Sequence, residues 1–135
     1  MGILHGKRGL IMGVANDRSI GWGIASKLAE HGAELAFTFQ GEALQKRVIP
    51  LAESVGSNLV LPCDVTDEAS VDAVFDRLKS EWGELDFVLH AIAYSDKEEL
   101  KGGYVDTSRD NFQRTMDISV YSFTEITRKA TAMMK

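Results

Sequence analysis

Along the chain, short apolar runs are each followed by a segment in which apolar residues recur every three or four positions. This repetition predicts strands that are each followed by a helix. Short apolar runs at Leu10–Gly13, Glu34–Phe39, Leu59–Leu61 and Asp86–His90 predict four strands. After each of them, apolar residues recur at steps of three and four, which is the spacing of one helix face. Repeated strand–helix units indicate an α/β fold, a doubly wound parallel sheet with right-handed crossovers and the strand order 3-2-1-4.

The first three predicted helices carry recognisable end signals. Gly32 stops the first helix, and Gly83 ends the third. Pro50 lies inside the apolar pattern of the second helix and predicts a kink or an early end. Thr66 or Asp67 is expected to cap the third helix, because their side-chain oxygens can accept from the first free amides.

The C-terminal part of the chain predicts a loop and then a single long helix. Ser95–Gly103 is charged and ends in two glycines, which favours a loop. Asp106–Lys135 carries a wide apolar stripe that suits core packing, a subunit interface or both. Its members are Phe112, Met116, Val120, Phe123, Ile126, Ala130 and Met133. Because a doubly wound sheet usually continues with further strands, we expect the chain to be the first half of a longer protein.

Composition places the chain among ordinary globular proteins and narrows its partners. The 135 residues are 44% hydrophobic and 26% charged, which predicts one folded domain over 1–135. The net charge of −5, without a basic block, disfavours nucleic acid and anionic membranes. The single Cys63, the absence of a signal-peptide pattern and the lack of a long apolar run predict a soluble cytoplasmic protein.

The loop after the first strand carries the strongest chemical signal. Its pattern is Gly13-x5-Ser19-Ile20-Gly21-x-Gly23, which departs from the common G-x-G-x-x-G fingerprint. Glycines allow a phosphate to approach the backbone, and the first turn of the following helix offers amides and a positive dipole end. The pattern therefore favours a nucleotide pyrophosphate site, with an ordinary strand-to-helix loop as the alternative.

Gln40 ends the second strand, where a dinucleotide fold meets the adenosine ribose. Glutamine can bond ribose hydroxyls but brings no positive charge for a 2′-phosphate, and Glu42 adds a negative charge nearby. Lys46 and Arg47 on the following helix remain possible partners of such a phosphate. The pattern favours NADH over NADPH, and a polar strand end without a ligand stays open.

Two further strand ends bear on the same site. Asp64 can accept from an adenine amino group while the Val65 amide donates to the ring, or Asp64 can help to cap the next helix. The fourth strand closes with His90 and the small-residue segment 91–93, which would let a cofactor lie against backbone. His90 itself is expected to be a packed, hydrogen-bonded histidine.

Two other patterns carry less weight. Tyr94 and Lys101 have the spacing of a reductase acid pair, but that pair requires a shared helix, and a loop is expected here. We therefore interpret the spacing as a coincidence. The spacing of cysteine, histidine and carboxylates predicts no metal site.

Taken together, these segments resemble a known family. The chain is similar to the N-terminal half of bacterial enoyl-acyl-carrier-protein reductases of the NADH-dependent, short-chain-dehydrogenase-like type. The likeness is carried by segments 6–20, 32–40, 63–65 and 116–123. Ser19-Ile20 in place of Gly-x-Gly, and Gln40 after Phe-Thr-Phe, are specific to that branch of a Rossmann-type superfamily.

The resemblance implies a role for particular residues. It places the acyl substrate at Ser95, and it leaves inhibitor contacts at Ala91 and Ala93 in doubt because relatives more often carry Ser and Gly there. The implied cofactor contacts are Gly13, Ser19 and Ile20 at the pyrophosphate and ribose, Gln40 at the adenosine ribose, Asp64 and Val65 at the adenine, and Ile92 near the switch point.

The resemblance also implies an activity that this stretch would not complete. In the family, hydride passes from NADH to the β-carbon of a 2-enoyl thioester carried by acyl carrier protein. The tyrosine and lysine that assist belong to a helix after a fifth strand, so no residue here is assigned as catalytic and residues 1–135 alone are expected to be inactive. Relatives are commonly tetramers. Two alternatives remain, a non-catalytic dinucleotide-sensing module and another short-chain dehydrogenase.

Overall fold

A computed structural model describes residues 2–135 and shows strands and helices in regular alternation. Three helices connect the four strands, and two more follow the last strand. The elements are β1 (Arg8–Met12), α1 (Ile20–Glu30), β2 (Glu34–Phe39), α2 (Glu42–Ser54), β3 (Val60–Pro62), α3 (Glu68–Glu81), β4 (Phe87–His90), α4 (Arg109–Met116) and α5 (Ser122–Thr131). Within the described residues, no helix combines the length and the hydropathy needed to cross a bilayer.

The four strands form one parallel sheet in the order β3-β2-β1-β4. β1 is central, since Leu10 lies between Ala36 of β2 and Val88 of β4. This order confirms the predicted α/β fold with the strand order 3-2-1-4. It also brings the carboxyl ends of all four strands to one edge, where the connecting loops meet.

Side chains of β1 alternate between two hydrophobic cores, as the pleat of a strand requires. Leu10 and Met12 point to the face covered by α3 and α5, and Ile11 points to the face covered by α1 and α2. All three are fully buried. The sheet is therefore packed on both sides, which explains why β1 reads as a continuous apolar run.

The predicted strand Leu10–Gly13 was wrong at both ends. β1 begins two residues earlier, at Arg8, and it stops at Met12 because Gly13 turns into a left-handed conformation with φ of +107°. Gly9 pairs with Leu35 and Phe87 in the sheet, and the Phe87 ring occupies the place where a Cβ of Gly9 would lie. β3 and β4 each differ by one residue from the predicted bounds.

The end signals of the first three helices gave mixed results. Gly32 with φ of +99° stops α1 as predicted, and Asp67 caps α3 by accepting from the Ala69 amide at 3.1 Å. The expected kink or early end at Pro50 was wrong, because α2 continues to Ser54. Pro50 lies on the exposed side of α2, so the carbonyl that loses its partner faces solvent.

The long helix predicted over Asp106–Lys135 is present but shorter, running without a break from Arg109 to Thr131, and its winding changes in the middle. A wider turn of π-helix at Asp117–Tyr121 separates α4 from α5, and α5 ends at Thr131. The predicted loop Ser95–Gly103 contains a short 3-10 turn, Lys97–Leu100. The apolar stripe is divided accordingly: Ile126 and Ala130 are buried, whereas Phe112, Met116, Val120 and Phe123 are 43–55% exposed.

Candidate functional site

A cleft of about 440 Å³ opens at the carboxyl edge of the sheet. It lies where the chain order reverses between β1 and β4, which is where open α/β sheets bind their ligands. Residues at or after the ends of all four strands contribute to it, together with Leu44 of α2 and two residues on or after α4. The lining residues are Gly13, Val14, Ala15, Thr38, Phe39, Gln40, Leu44, Cys63, Asp64, Val65, Thr66, Ala91, Ile92, Ala93, Tyr94, Arg114 and Ile118.

Gly13 brings the loop after β1 into close contact with the end of β4. Its φ is +107°, and a Cβ at this position would lie 2.0 Å from the carbonyl oxygen of Ala91. Both the backbone conformation and the space therefore require glycine. The resulting contact packs the loop against Ala91, and both segments line the cleft.

Ser19 organises the loop from inside. Its Oγ accepts from the amides of Ala15 at 2.9 Å and Asn16 at 3.1 Å. These two loop amides are thus already bonded and are not open to a ligand. Because a hydroxyl has two acceptor positions and one donor, the Ser19 O–H remains free to donate outward.

The free amides lie at the start of α1. The first amide of the helical ladder is that of Gly23, which donates to the Ser19 carbonyl oxygen at 3.1 Å. The three amides before it, at residues 20–22, have no carbonyl one turn earlier in the helix to accept them. The helix dipole adds positive potential at the same end. Ile20 exposes 81% of its surface here, and neither Ser19 nor Ile20 lines the cleft wall itself.

The ends of β2 and β3 supply the polar part of the cleft. Gln40 is exposed directly after β2. Asp64 follows β3, and its Oδ1 accepts from the Thr66 amide at 2.9 Å and the Thr66 hydroxyl at 2.6 Å. The helix cap belongs to Asp67 instead. Asp64 therefore shapes a local turn that holds the Val65 backbone at the cleft.

Cys63 places a thiol in the wall between β3 and Asp64. Burial raises the pKa of this thiol to about 11, and the neighbouring carboxylates Asp64, Glu125 and Asp67 act in the same direction. A hydrogen bond with Ser70 opposes the rise. The group is therefore a neutral thiol near pH 7, and a small apolar part of the wall.

His90 at the end of β4 is packed and hydrogen-bonded, as predicted. Its Nε2 lies 2.8 Å from the Ser122 Oγ, and its ring meets the Phe123 ring edge-on with centroids 5.5 Å apart. Burial lowers the pKa of the imidazole below its ordinary value. Ile92, two residues further, lines the cleft beside the small side chains of Ala91 and Ala93.

Ser95 lies outside this cleft, in a neighbouring hollow of about 360 Å³. Its Oγ accepts from Asn111 Nδ2 at 3.2 Å. Leu100, Phe112 and Met116 give the hollow an apolar lining. The rest of the lining is polar, with hydroxyl, amide and carboxylate groups beside Ser95, and the hollow is separate from the polar wall at Asp64.

The structure bears on two weaker patterns of the sequence, the spacing of Tyr94 and Lys101 and the distribution of possible metal ligands. Tyr94 and Lys101 share no helix, and Lys101 pairs with Glu98 at 3.6 Å, which confirms that their spacing is a coincidence. Across residues 2–135, no group of three His, Cys, Asp or Glu side chains is close enough to hold a metal ion.

Sequence reasoning missed two cleft residues on the C-terminal helical segment. Arg114 and Ile118 are four residues apart and both line the cleft. The apolar stripe predicted from the sequence includes Phe112 and Met116, which do not line the cleft. The i, i+4 spacing of Arg114 and Ile118 was a visible signal, but nothing in the pattern tells which face of α4 meets the strand ends.

Comparison with known proteins gives a consistent result. The family model described as Enoyl-(Acyl carrier protein) reductase matches residues 13–135. The chain is 66% identical to Enoyl-[acyl-carrier-protein] reductase [NADH] 2 of Rhizobium meliloti, covering 98% of this chain and 50% of that protein. It is 53% identical to Enoyl-[acyl-carrier-protein] reductase [NADH] FabI of Rickettsia felis, covering 98% of this chain and 51% of the relative.

Solved structures agree with these relatives. FabI from Candidatus Liberibacter asiaticus superposes with a TM-score of 0.96 at 57% identity, over 98% of this chain and 52% of that one. The reductase of Anaplasma phagocytophilum, solved in complex with NAD, gives a TM-score of 0.94 at 56% identity, over 99% and 52%. The chain thus spans about half the length of the curated relatives it matches.

Proposed function

Because the chain belongs to the enoyl-(acyl carrier protein) reductase family, we propose that it forms the adenosine-binding, N-terminal half of an NADH-dependent enoyl-acyl-carrier-protein reductase. Residues 1–135 would then be part of one longer dinucleotide-binding domain that acts in fatty-acid synthesis. Support comes from relatives whose names state NADH and acyl carrier protein. The observation that carries the proposal is the cleft at the switch point, with Gly13 pressed against Ala91.

The residues present fit a dinucleotide. Gly13 allows the loop after β1 to pack against the Ala91 backbone, and the O–H of Ser19 and the amides of residues 20–22 provide donors for a diphosphate. Gln40 offers an amide to a ribose without the cation that a 2′-phosphate needs. The proposed cofactor-binding residues are Gly13, Ser19, Ile20, Gln40, Asp64, Val65 and Ile92.

Within the reaction, this half of the protein binds and orients. When bound, NADH supplies the hydride that reduces the β-carbon of a 2-enoyl thioester. The loop at Gly13 and the start of α1 would hold the diphosphate in the middle of the cofactor, and the β3 end at Asp64 and Val65 would hold its adenine. We propose no catalytic residue among 1–135, because the tyrosine and lysine of the family lie in its other half.

The proposal extends to substrate, assembly and location. Ser95, beside the apolar side chains of Leu100, Phe112 and Met116, would contact the acyl part of a substrate linked to acyl carrier protein. We also propose a homotetramer, for which the exposed residues Phe112, Met116, Val120 and Phe123 provide apolar surface. A cytoplasmic location agrees with the free thiol of Cys63.

The test uses the protein at its natural length. We expect NADH to bind, and NADH absorbance to fall on addition of an enoyl thioester but not of the saturated thioester. Gln40→Arg should shift preference toward NADPH, since a guanidinium can pair with the 2′-phosphate. Failure to bind NADH would contradict the proposal. Binding without turnover would favour a sensing module, and turnover of a carbonyl compound alone would favour another short-chain dehydrogenase.

A further inference from the structure

Tyr94 is a fixed platform at the end of β4. The Ser119 Oγ accepts from the Tyr94 amide at 2.9 Å and donates to the Tyr94 carbonyl oxygen at 3.3 Å. One hydroxyl thus holds both backbone groups of this residue. Ser119 lies in the π-helical turn Asp117–Tyr121, so the wider turn anchors the segment that leaves β4.

Arg114 rests on that platform. Its Cζ lies 5.0 Å from the centroid of the Tyr94 ring, within the range of a cation–π contact. Both residues line the cleft. Among residues 2–135, no carboxylate lies within 4.0 Å of its guanidinium nitrogens, in contrast to Arg77 and Lys129, which have such partners. The guanidinium is therefore oriented by the aromatic ring and keeps its charge available to the cleft.

The neighbours of Arg114 indicate which part of a ligand it meets. Ile118 follows one helical turn later and lines the same cleft. Val65, Thr66 and Ile92 also line it. These residues surround the β3 and β4 ends. The donors suited to a diphosphate lie instead at Ser19 and the start of α1. A guanidinium that already lies on an aromatic ring, beside apolar side chains and away from those donors, is placed to stack on a flat aromatic base.

We propose that Arg114, held against Tyr94, stacks on the purine ring of the dinucleotide and is a binding determinant of its adenosine half. This inference rests on the proposed function, because it assumes a dinucleotide in the cleft. The purine would lie on the guanidinium face opposite Tyr94, so that the cation is shared between two aromatic rings. Such a contact adds affinity without hydrogen-bond readout, and it acts beside the contacts expected from Asp64 and Val65.

The test measures dissociation constants of the natural-length protein for NADH, AMP, adenosine and nicotinamide mononucleotide. Arg114→Ala and Arg114→Met should each weaken the three adenine-containing ligands about fivefold and leave nicotinamide mononucleotide unchanged. The affinity of Arg114→Lys for these ligands should fall between those of the two variants and the wild type, because lysine keeps the charge but lacks the planar guanidinium group. In turnover, KM for NADH should rise while kcat stays the same.

Matched variants isolate the stacking geometry. Tyr94→Phe keeps the aromatic ring and should bind all four ligands as the wild type does. Tyr94→Leu removes the ring and should weaken adenosine binding to the same extent as Arg114→Met. Arg109→Ala removes the same charge from the same helix, outside the cleft, and should change none of the four constants. Thermal melting of each variant reports whether it is folded.

Several results would overturn the inference. One is a wild-type protein that binds NADH while both Arg114 variants bind adenosine within twofold of it. Another is a pair of Arg114 variants that bind AMP more weakly than the wild type but bind adenosine equally well, which would assign Arg114 to a phosphate. If the wild type binds none of the adenine ligands, the proposed function itself fails and this inference fails with it.

Discussion

The two ends of the cleft are built by different means. At the β1 end, backbone conformation determines the shape: Gly13 adopts a left-handed φ, and α1 begins with free amides. At the β4 end, side chains determine it, because hydroxyl and amide groups from α4 and the π-turn hold the chain after β4. A backbone-built site leaves a short sequence signature, whereas a side-chain-built site depends on contacts between residues far apart in the chain.

Asn111 is the centre of the side-chain-built end. This buried residue accepts from the Asp96 amide at 2.8 Å and donates to the hydroxyls of Ser95 and Thr107. Glu99 adds a second anchor by accepting from the Ser108 amide at 2.6 Å and from the Ser108 and Thr107 hydroxyls. These bonds fold the segment between β4 and α4 back onto the helix.

The largest effect is expected from breaking the backbone-built end. Gly13→Ala should lower the free energy of unfolding by about 3 kcal/mol or more, because the new Cβ collides with the Ala91 carbonyl and the φ of +107° is strained for alanine. Chemical denaturation measures the loss, and NADH affinity should fall with it.

Gly23→Ala is the matched control for that substitution. Nothing lies within 4 Å of a Cβ at Gly23, which is inside α1. Alanine there should raise the free energy of unfolding by about 0.5–1 kcal/mol, since it loses less entropy than glycine in a helix. Equal effects at the two glycines would contradict the claim that the loop geometry requires Gly13.

An intermediate effect is expected from Asn111→Ala. The variant leaves the Asp96 amide without its acceptor and should lower the free energy of unfolding by about 2 kcal/mol. Hydrogen exchange should speed up across residues 95–108 and stay unchanged at residues 13–23. Faster exchange at both ends would show that they are coupled rather than separately built.

The smallest effect concerns the pH dependence of the β4 end. Burial lowers the pKa of His90, so the unfolded chain binds more protons, and stability should fall as pH drops through about 6.5 and level off below the folded pKa. The Ser108 amide and hydroxyl lower the pKa of Glu99, so its contribution is lost at more acidic pH, as the pH falls through the folded pKa.

Denaturation curves across pH separate these two groups. His90→Gln should flatten the profile just below pH 6.5, and Glu99→Gln should flatten it only in the acidic range. Thr124→Ala, at an exposed position of α5, serves as a neutral control. An unchanged pH profile in His90→Gln would contradict the assignment of the stability change near pH 6.5 to His90.

The contrast between the ends explains how far the sequence could be interpreted. Strand order, the glycine loop and the packed role of His90 followed from local patterns. The π-turn at Asp117–Tyr121 did not, because one extra residue in a turn leaves the apolar steps almost unchanged. Arg114 was missed for a related reason: a cation on a helix is normally solvated, and only the fold shows that Tyr94 lies beneath it.

The state of Cys63 has a practical consequence for probing this cleft. Since its pKa is about 11, the sulfur stays protonated near neutral pH, and electrophiles aimed at this cleft would meet a poor nucleophile. Covalent ligands designed for this wall should therefore target another side chain. The same inertness favours spectroscopy, because a cysteine introduced at an exposed position would outcompete the native thiol for a maleimide label.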